Sequence, residues 1–278
     1  MTAEAEVYRP RNSVRVVTAT SLFDGHDASI NIFRRILQST GIEVIHLGHN
    51  RSVQEIVDAA VEEDAQGIAV SSYQGGHVEY FKYMIDLLKA ADATHVKVFG
   101  GGGGVIVPDE IKALEAYGVA KIYSPEDGAR LGLQGIINHM AETMDFPRVT
   151  DGAVDLRQLT PDNKLLVANL ITTVEQAKAR ENGHLAKLRA DLIAHTPDRA
   201  IPVIGITGTG GSGKSSLTDE LIQRMLHDLP DIRVAIISAD PSRRKTGGAL
   251  LGDRIRMNAI GSERAVSYTH LTLPTTIP

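Results

Sequence analysis

The chain has 278 residues, which allows about two domains, and its 29 Lys and Arg against 34 Asp and Glu give a formal net charge of −5. This mildly acidic balance speaks against nucleic-acid binding. The sequence has no cysteine, which excludes disulfides and thiolate metal sites and favours a reducing compartment. There is no apolar signal core at the N-terminus, and no apolar run approaches the ~20 residues of a membrane span. We therefore expect a cytoplasmic protein that does not cross a membrane.

Residues 1–145 alternate predicted strands and helices. Apolar, β-branched runs predict the strands, and apolar residues at three- and four-residue spacing predict the helices between them. Such βα units predict a parallel sheet covered on both faces, and we expect the flavodoxin-like strand order 2-1-3-4-5. The five predicted strands are Val14 to Ala19, Glu43 to Leu47, Gly67 to Ser71, Val96 to Phe99 and Ala120 to Tyr123.

The loop after the first predicted strand carries His26, at the sheet edge where ligands bind in such folds. Imidazole is a good ligand for transition metals, and Asp24, two residues earlier, could accept the other ring N–H and fix its orientation. Because the switch point lies between strands one and three, His26 and Ser71 should share one site. Gly101 and Gly102 follow the fourth strand and leave room for a bulky group near the backbone. A solvated histidine and a flexible glycine loop are the alternatives.

These loops together resemble the cobalamin-binding domain of His-on enzymes such as the acyl-CoA mutases. The family pattern is Asp-x-His-x-x-Gly, then Ser-x-Leu, then Gly-Gly; here Ser29 replaces the Gly and Tyr73 the Leu. The resemblance implies that His26 is the lower axial ligand of cobalt in adenosylcobalamin and that Asp24 orients it. It also implies that Ser71 and the glycines line the pocket for the nucleotide tail.

The rest of the chain divides into three predicted segments. Residues 146–200 are predicted to be a helical linker. Residues 201–265 begin a P-loop α/β GTPase domain, which we expect to be truncated. Residues 266–278 fit no motif and resemble translated adapter sequence, so they are predicted to be an artefactual tail, with a β-strand as the alternative.

A P-loop, Gly-x-x-x-x-Gly-Lys-Ser, begins at Gly208, after a predicted strand at Val203 to Ile206. Backbone N–H groups of such a loop curl round phosphate oxygens, and the following helix adds its positive end. Lys214 would reach the β- and γ-phosphates, and Ser215 would bind Mg²⁺. The predicted nucleotide-binding residues of this loop are Gly211, Ser212, Gly213, Lys214, Ser215 and Ser216.

The segment after the second strand of this domain reads as a nucleotide-sensing loop. Asp240 ends that strand and is a candidate Mg²⁺ ligand, and the basic residues, glycines and acid that follow suit a switch loop. A solvated basic loop is the alternative. The segments around Asp240 and from Gly252 to Met257 resemble the G-protein chaperones of cobalamin-dependent acyl-CoA mutases. That resemblance implies that Asp253 approaches Mg²⁺ and that Arg256 approaches the nucleotide.

A cobalamin domain followed directly by this GTPase resembles the acyl-CoA mutases that are fused to their chaperone. The resemblance implies a radical rearrangement of isobutyryl-CoA to n-butyryl-CoA on adenosylcobalamin, with GTP hydrolysis gating or protecting cofactor loading. It also implies a homodimer and an acyl-CoA-binding (β/α)₈ domain, for which the sequence shows no candidate, so we expect this chain alone to be inactive as a mutase. The alternatives are a methylmalonyl-CoA-type mutase fusion, a non-catalytic cobalamin-delivery GTPase, and a P-loop kinase with an unrelated flavodoxin-like domain.

Overall fold

The computed structural model of the chain describes residues 6–148, 155–179, 184–195, 201–238, 250–251 and 265–268. Two compact units divide the chain. One consists of Met1–Pro147 with Asp240–Gly252, and the other of Arg148–Ala239 with Asp253–Pro278.

The first unit is a parallel sheet with helices between successive strands. Its strands are β1 (Arg15–Ser21), β2 (Glu43–Arg51), β3 (Gly67–Ser71), β4 (Lys97–Gly101), β5 (Lys121–Tyr123) and, later in the chain, β7 (Leu250–Leu251). Its helices are α1 (Ala28–Ser39), α2 (Val53–Glu62), α3 (His77–Ala90), α4 (Pro108–Tyr117) and α5 (Pro125–Met144). The strand order is β5-β4-β3-β1-β2-β7, so the predicted order 2-1-3-4-5 is confirmed and β7 extends the β2 edge.

Burial explains why these segments form the sheet. All seven residues of β1 are buried, as expected for a strand covered on both faces. One core cluster packs β1 to β4 against α1 and α5, and each fully buried side chain of this kind contributes about 1.5–3 kcal/mol. Its members include Val16, Leu37, Val44, Phe99, Ile137 and Met140. A capping box opens α2, in which the Glu55 backbone N–H donates to Ser52 Oγ at 3.3 Å and the Glu55 side chain accepts from the Ser52 backbone N–H.

Two local features set the shape of the carboxyl edge. Strand β4 extends two residues into the glycine run, and a Cβ on Gly100 would lie 2.5 Å from both Ile122 Cδ1 and Phe81 Cζ. Packing therefore requires glycine there. Between β1 and β2 the register shifts after Thr18 and again after Ala19, which is the mark of a β-bulge.

The second unit contains α6 (Lys164–Ala179), α7 (His184–His195), α8 (Lys214–Asp228), β6 (Val234–Ile237) and β8 (Ala265–Tyr268). The predicted strand at Val203 to Ile206 is wrong: this described segment has no regular structure, and Val203 is 91% exposed. An apolar run becomes a strand only beside a partner, and the two-stranded sheet here pairs β6 with β8. Strand β8 overlaps the predicted tail; its artefactual origin stays a prediction, as do the proposed domain boundaries.

The buried imidazole of His46 makes the first unit sensitive to acid. Its Nδ1 lies 2.9 Å from Thr18 Oγ1. Burial, helped by the positive charge of Arg34, lowers the pKa of His46 from 6.5 to about 4. Between these values the unfolded chain binds more protons than the folded one, so stability falls as the pH falls.

We expect unfolding in urea at pH 7 and at pH 5 to reveal this loss. The wild-type first unit should be less stable at pH 5, with about 2 kcal/mol of the loss due to His46. The variant His46→Asn keeps a polar partner for Thr18 and does not titrate, so its loss should be smaller by that amount. Equal pH dependence in the two proteins would contradict the assignment.

Candidate functional site

One buried carboxylate holds the site together. The side chain of Asp24 is 1% exposed and follows the turn at the end of β1, where its backbone N–H donates to Ser21 O at 3.1 Å. Oδ1 accepts the backbone N–H of His26 at 2.9 Å and lies 2.8 Å from His26 Nδ1. Oδ2 accepts the backbone N–H of Tyr73. Asp24 thus joins the loop after β1 to the loop after β3.

These hydrogen bonds keep the carboxylate charged. Burial by itself would raise the pKa of Asp24, but the backbone N–H groups of Tyr73 and His26 and the His26 ring outweigh it, so the pKa lies below its ordinary value. An ionised carboxylate only accepts hydrogen bonds. The His26 nitrogen that faces this carboxylate, Nδ1, therefore carries a proton, and Nε2 is the ring nitrogen available as a metal ligand.

The imidazole of His26 lies at the surface of the protein. Its side chain is 77% exposed, although the carboxylate that holds it is buried. The ring of Tyr73 lies 5.4 Å from it, centroid to centroid, at an interplanar angle of 42°. The site thus offers a nitrogen lone pair on a ring whose orientation is fixed from two sides.

A cavity of about 240 Å³ opens at the carboxyl ends of β3 and β4, beside α1 and α5. Ser71 lines it, and its Oγ lies 3.2 Å from Ser29 Oγ. The cavity is also lined by Gly101 and Gly102, the glycines predicted at the site. The remaining wall is largely apolar, formed by Ile30, Phe33, Ala69, Val70, Phe99, Ile136 and Met140.

The glycine run brings two loops into close contact. A Cβ on Gly102 would lie 2.0 Å from the backbone oxygen of Ser72, and the Ser72 N–H donates to Gly101 O at 2.8 Å. Gly103 has φ of +58°, in the left-handed region that favours glycine. These features fit a metal-centred group that carries a flat, largely apolar appendage. The exposed imidazole suits the metal, and the apolar cavity, with its hydroxyl pair and its glycines, suits the appendage.

Two residues at this edge, Tyr73 and His77, make contacts that the sequence did not predict. Tyr73 reads in the sequence only as a departure from a pattern, yet it contacts both Asp24 and His26. His77, at the start of α3, lies 2.9 Å from Glu110 Oε2 through Nε2 and 3.0 Å from Gln74 O through Nδ1. This pair ties the start of α3 to α4. The sequence signal that could have indicated this pair is a polar residue in the first turn of each helix, His77 in α3 and Glu110 in α4.

The P-loop residues precede and open α8, which begins at Lys214. Gly211 and Gly213 have φ of +79° and +83°, so both glycines adopt a conformation that other residues rarely take. Lys214 Nζ donates to Thr209 O at 2.9 Å, which folds its ammonium back over the loop. Ser212, Ser215 and Ser216 lie in the same turn and the first turn of α8.

The other predicted nucleotide-site residues, Asp240, Asp253 and Arg256, lie outside the described residues. In the described part of the chain no three His, Cys, Asp or Glu side chains group as a metal site. A metal already chelated by a macrocycle needs only one ligand from the protein, and His26 can supply one. Among those same residues, no helix has the length and apolar character needed to cross a membrane.

Comparison with known proteins identifies both halves of the chain. Residues 14–129 match the family described as B12 binding domain, and residues 167–271 match the methylmalonyl Co-A mutase-associated GTPase MeaB. The sheet and its carboxyl-edge site thus define a B12-binding domain, joined to a P-loop GTPase segment.

The chain is similar to whole mutases and to a mutase subunit. It is 61% identical to a fused isobutyryl-CoA mutase of Geobacillus kaustophilus over 94% of its own length and 24% of that protein. It is 63% identical to that of Cupriavidus metallidurans, over 90% and 23%. A pivalyl-CoA mutase small subunit of Xanthobacter autotrophicus is 36% identical over 50% of the chain and 90% of the subunit.

The chain belongs to the B12-binding acyl-CoA mutase family, and its likeness to the fused isobutyryl-CoA mutases runs through both halves of the sequence. It spans about a quarter of the length of those fused relatives.

Substituting the glycine that approaches Ser72 should destabilise the first unit. In Gly102→Ala the new methyl meets a backbone carbonyl, which cannot rotate away, so we expect a loss of roughly 1–3 kcal/mol. A Cβ on Gly104 meets nothing within 4 Å, and Gly104→Ala should stay within about 0.5 kcal/mol of wild type. Urea unfolding of both variants measures the difference, and equal stabilities would refute the role of Gly102.

Proposed function

We propose that the first unit binds adenosylcobalamin, with His26 as the lower ligand of cobalt. The observation that carries the proposal is the pairing of a buried, ionised Asp24 with an exposed His26 ring. Cobalt suits imidazole nitrogen, and a carboxylate on the other ring nitrogen raises its basicity. The bound cofactor would supply cobalt–carbon homolysis, the source of the radical for a carbon-skeleton rearrangement.

The residues of the chain itself would bind and orient the cofactor. Asp24 holds the proton on His26 Nδ1 and so keeps Nε2 as the ligating atom. Tyr73 packs against the ring and limits its rotation. Ser29 and Ser71 offer hydroxyls at the cavity, while its apolar wall and Gly101 and Gly102 would hold the nucleotide tail and keep water from it.

The second unit we assign to GTP. Gly211, Ser212 and Gly213 would surround the phosphates, Lys214 would move from Thr209 O onto the β- and γ-phosphates, and Ser215 would bind Mg²⁺. Asp240 and Asp253 are proposed as further Mg²⁺ ligands, Arg256 as a nucleotide contact, and Ser216 as a phosphate contact. Hydrolysis would gate or protect cofactor loading.

For the whole protein we propose the conversion of isobutyryl-CoA to n-butyryl-CoA. The support is the high identity to fused relatives that carry this name. An acyl-CoA substrate, a homodimer and a cytoplasmic location are part of the same proposal. A chain that cannot hold acyl-CoA would be inactive as a mutase by itself.

The axial-ligand assignment can be tested by titrating the chain with adenosylcobalamin and recording absorption spectra. Wild type should give the spectrum of imidazole-bound cobalt, and His26→Ala should lose it and bind at least tenfold more weakly, because one charge-supported metal bond is removed. The matched control is His49→Ala, at an exposed histidine of β2, which should behave as wild type. A variant spectrum identical to wild type would overturn the assignment.

The P-loop assignment can be tested by measuring GTP affinity with a fluorescent GTP analogue. Lys214→Ala removes a charge-assisted contact to phosphate, worth about 1.5–3 kcal/mol, so we expect affinity to fall ten- to a hundredfold. Lys187→Ala changes an exposed lysine on α7 and should leave affinity unchanged. A similar affinity in Lys214→Ala and wild type would argue against nucleotide binding at this loop.

A further inference from the structure

Phe23 is an exposed aromatic in an unfavourable backbone conformation. The residue is 86% exposed, and its φ is +63°. A bulky residue rarely adopts left-handed φ, and such strain clusters at ligand sites. Glycine or asparagine would adopt this turn at lower cost, and the exposed ring of Phe23 is accessible to a ligand.

The conformation of Phe23 is fixed from the neighbouring strand. Its backbone N–H donates to Asn50 Oδ1 at 2.8 Å. Asn50 itself has φ of +58° and lies at the end of β2, where the β1–β2 register is irregular. A side chain beside the bulge thus holds the left-handed backbone of Phe23 in place. The loop is held in one shape although the ring that it carries is exposed.

The position of Phe23 connects it to the proposed cofactor site. It precedes Asp24 directly and His26 by three residues. Tyr73 reaches the same imidazole from the loop after β3. Aromatic residues therefore stand in both loops that Asp24 joins, and a macrocycle bound through His26 Nε2 extends well beyond the imidazole itself.

We propose that Phe23 is a corrinoid-contact residue, whose ring packs on the edge of the corrin macrocycle and shields the imidazole–metal bond from water. The proposal rests on the proposed function of His26. Burial of this ring on binding would stabilise the complex, while the strain at φ is already present before binding. Phe23 would then act mainly on the rate at which the corrinoid leaves.

The test separates a binding role from a structural one through Phe23→Asn. Asparagine tolerates left-handed φ, so this variant should be at least as stable as wild type in urea. Its affinity for cobalamin should fall about tenfold through faster dissociation, with the imidazole-bound spectrum kept at saturation. Phe23→Tyr should retain wild-type affinity. Ile32→Ala, at a residue of α1 that is 51% exposed, serves as the control and should change neither property.

The outcomes distinguish this inference from the assignment of His26. If wild type binds cobalamin and Phe23→Asn binds equally well, Phe23 is not a contact and the proposed function stands. If Phe23→Asn loses stability instead, the ring has a structural role and the inference is wrong. If wild type binds no corrinoid, the proposed function fails and this inference fails with it.

Discussion

The site depends on the hydrogen bonds that the carboxylate of Asp24 accepts. Burying a charge costs several kcal/mol unless partners compensate, and here the compensating donors come from two loops, at His26 and Tyr73. Those loops follow β1 and β3, the neighbouring strands at the switch point of the sheet. One ionised group therefore fixes the spacing of the loops, the tautomer of the imidazole and the position of the Tyr73 ring.

The sequence predicted most of this architecture because local patterns and topology agree. Apolar runs alternating with helical periodicity allow few solutions other than a parallel sheet, and the order of its strands brings His26 and Ser71 to one edge. The prediction of a strand failed where the local pattern does not show which other strand it would pair with. The apolar run at Val203 to Ile206 reads as a strand, yet a strand also needs a neighbour to bond. The left-handed backbone of Phe23 has no signal in residue type, since phenylalanine disfavours it.

The glycine run shows how one motif can combine packing with ligand access. Phe81 and Ile122 leave no room for a side chain at Gly100, and the carbonyl of Ser72 leaves none at Gly102. Gly104 has free space around it. A reading of the run as a ligand cradle therefore explains only part of it. Glycine is needed at Gly100 because β4 packs against Ile122 and Phe81, and at Gly102 because the loop after β3 lies against it.

At the carboxyl edge of the sheet, the residue that is held rigidly and the residues that are exposed are neighbours in the chain. Asp24 is buried and fixed, while His26 and Phe23 are exposed on either side of it. Because the anchoring group is not itself at the surface, binding through His26 Nε2 leaves the hydrogen bonds of Asp24 in place. The strained backbone of Phe23 is likewise present in the free chain. A ligand that meets such a loop need not order it, and little of the binding free energy is lost to rearrangement.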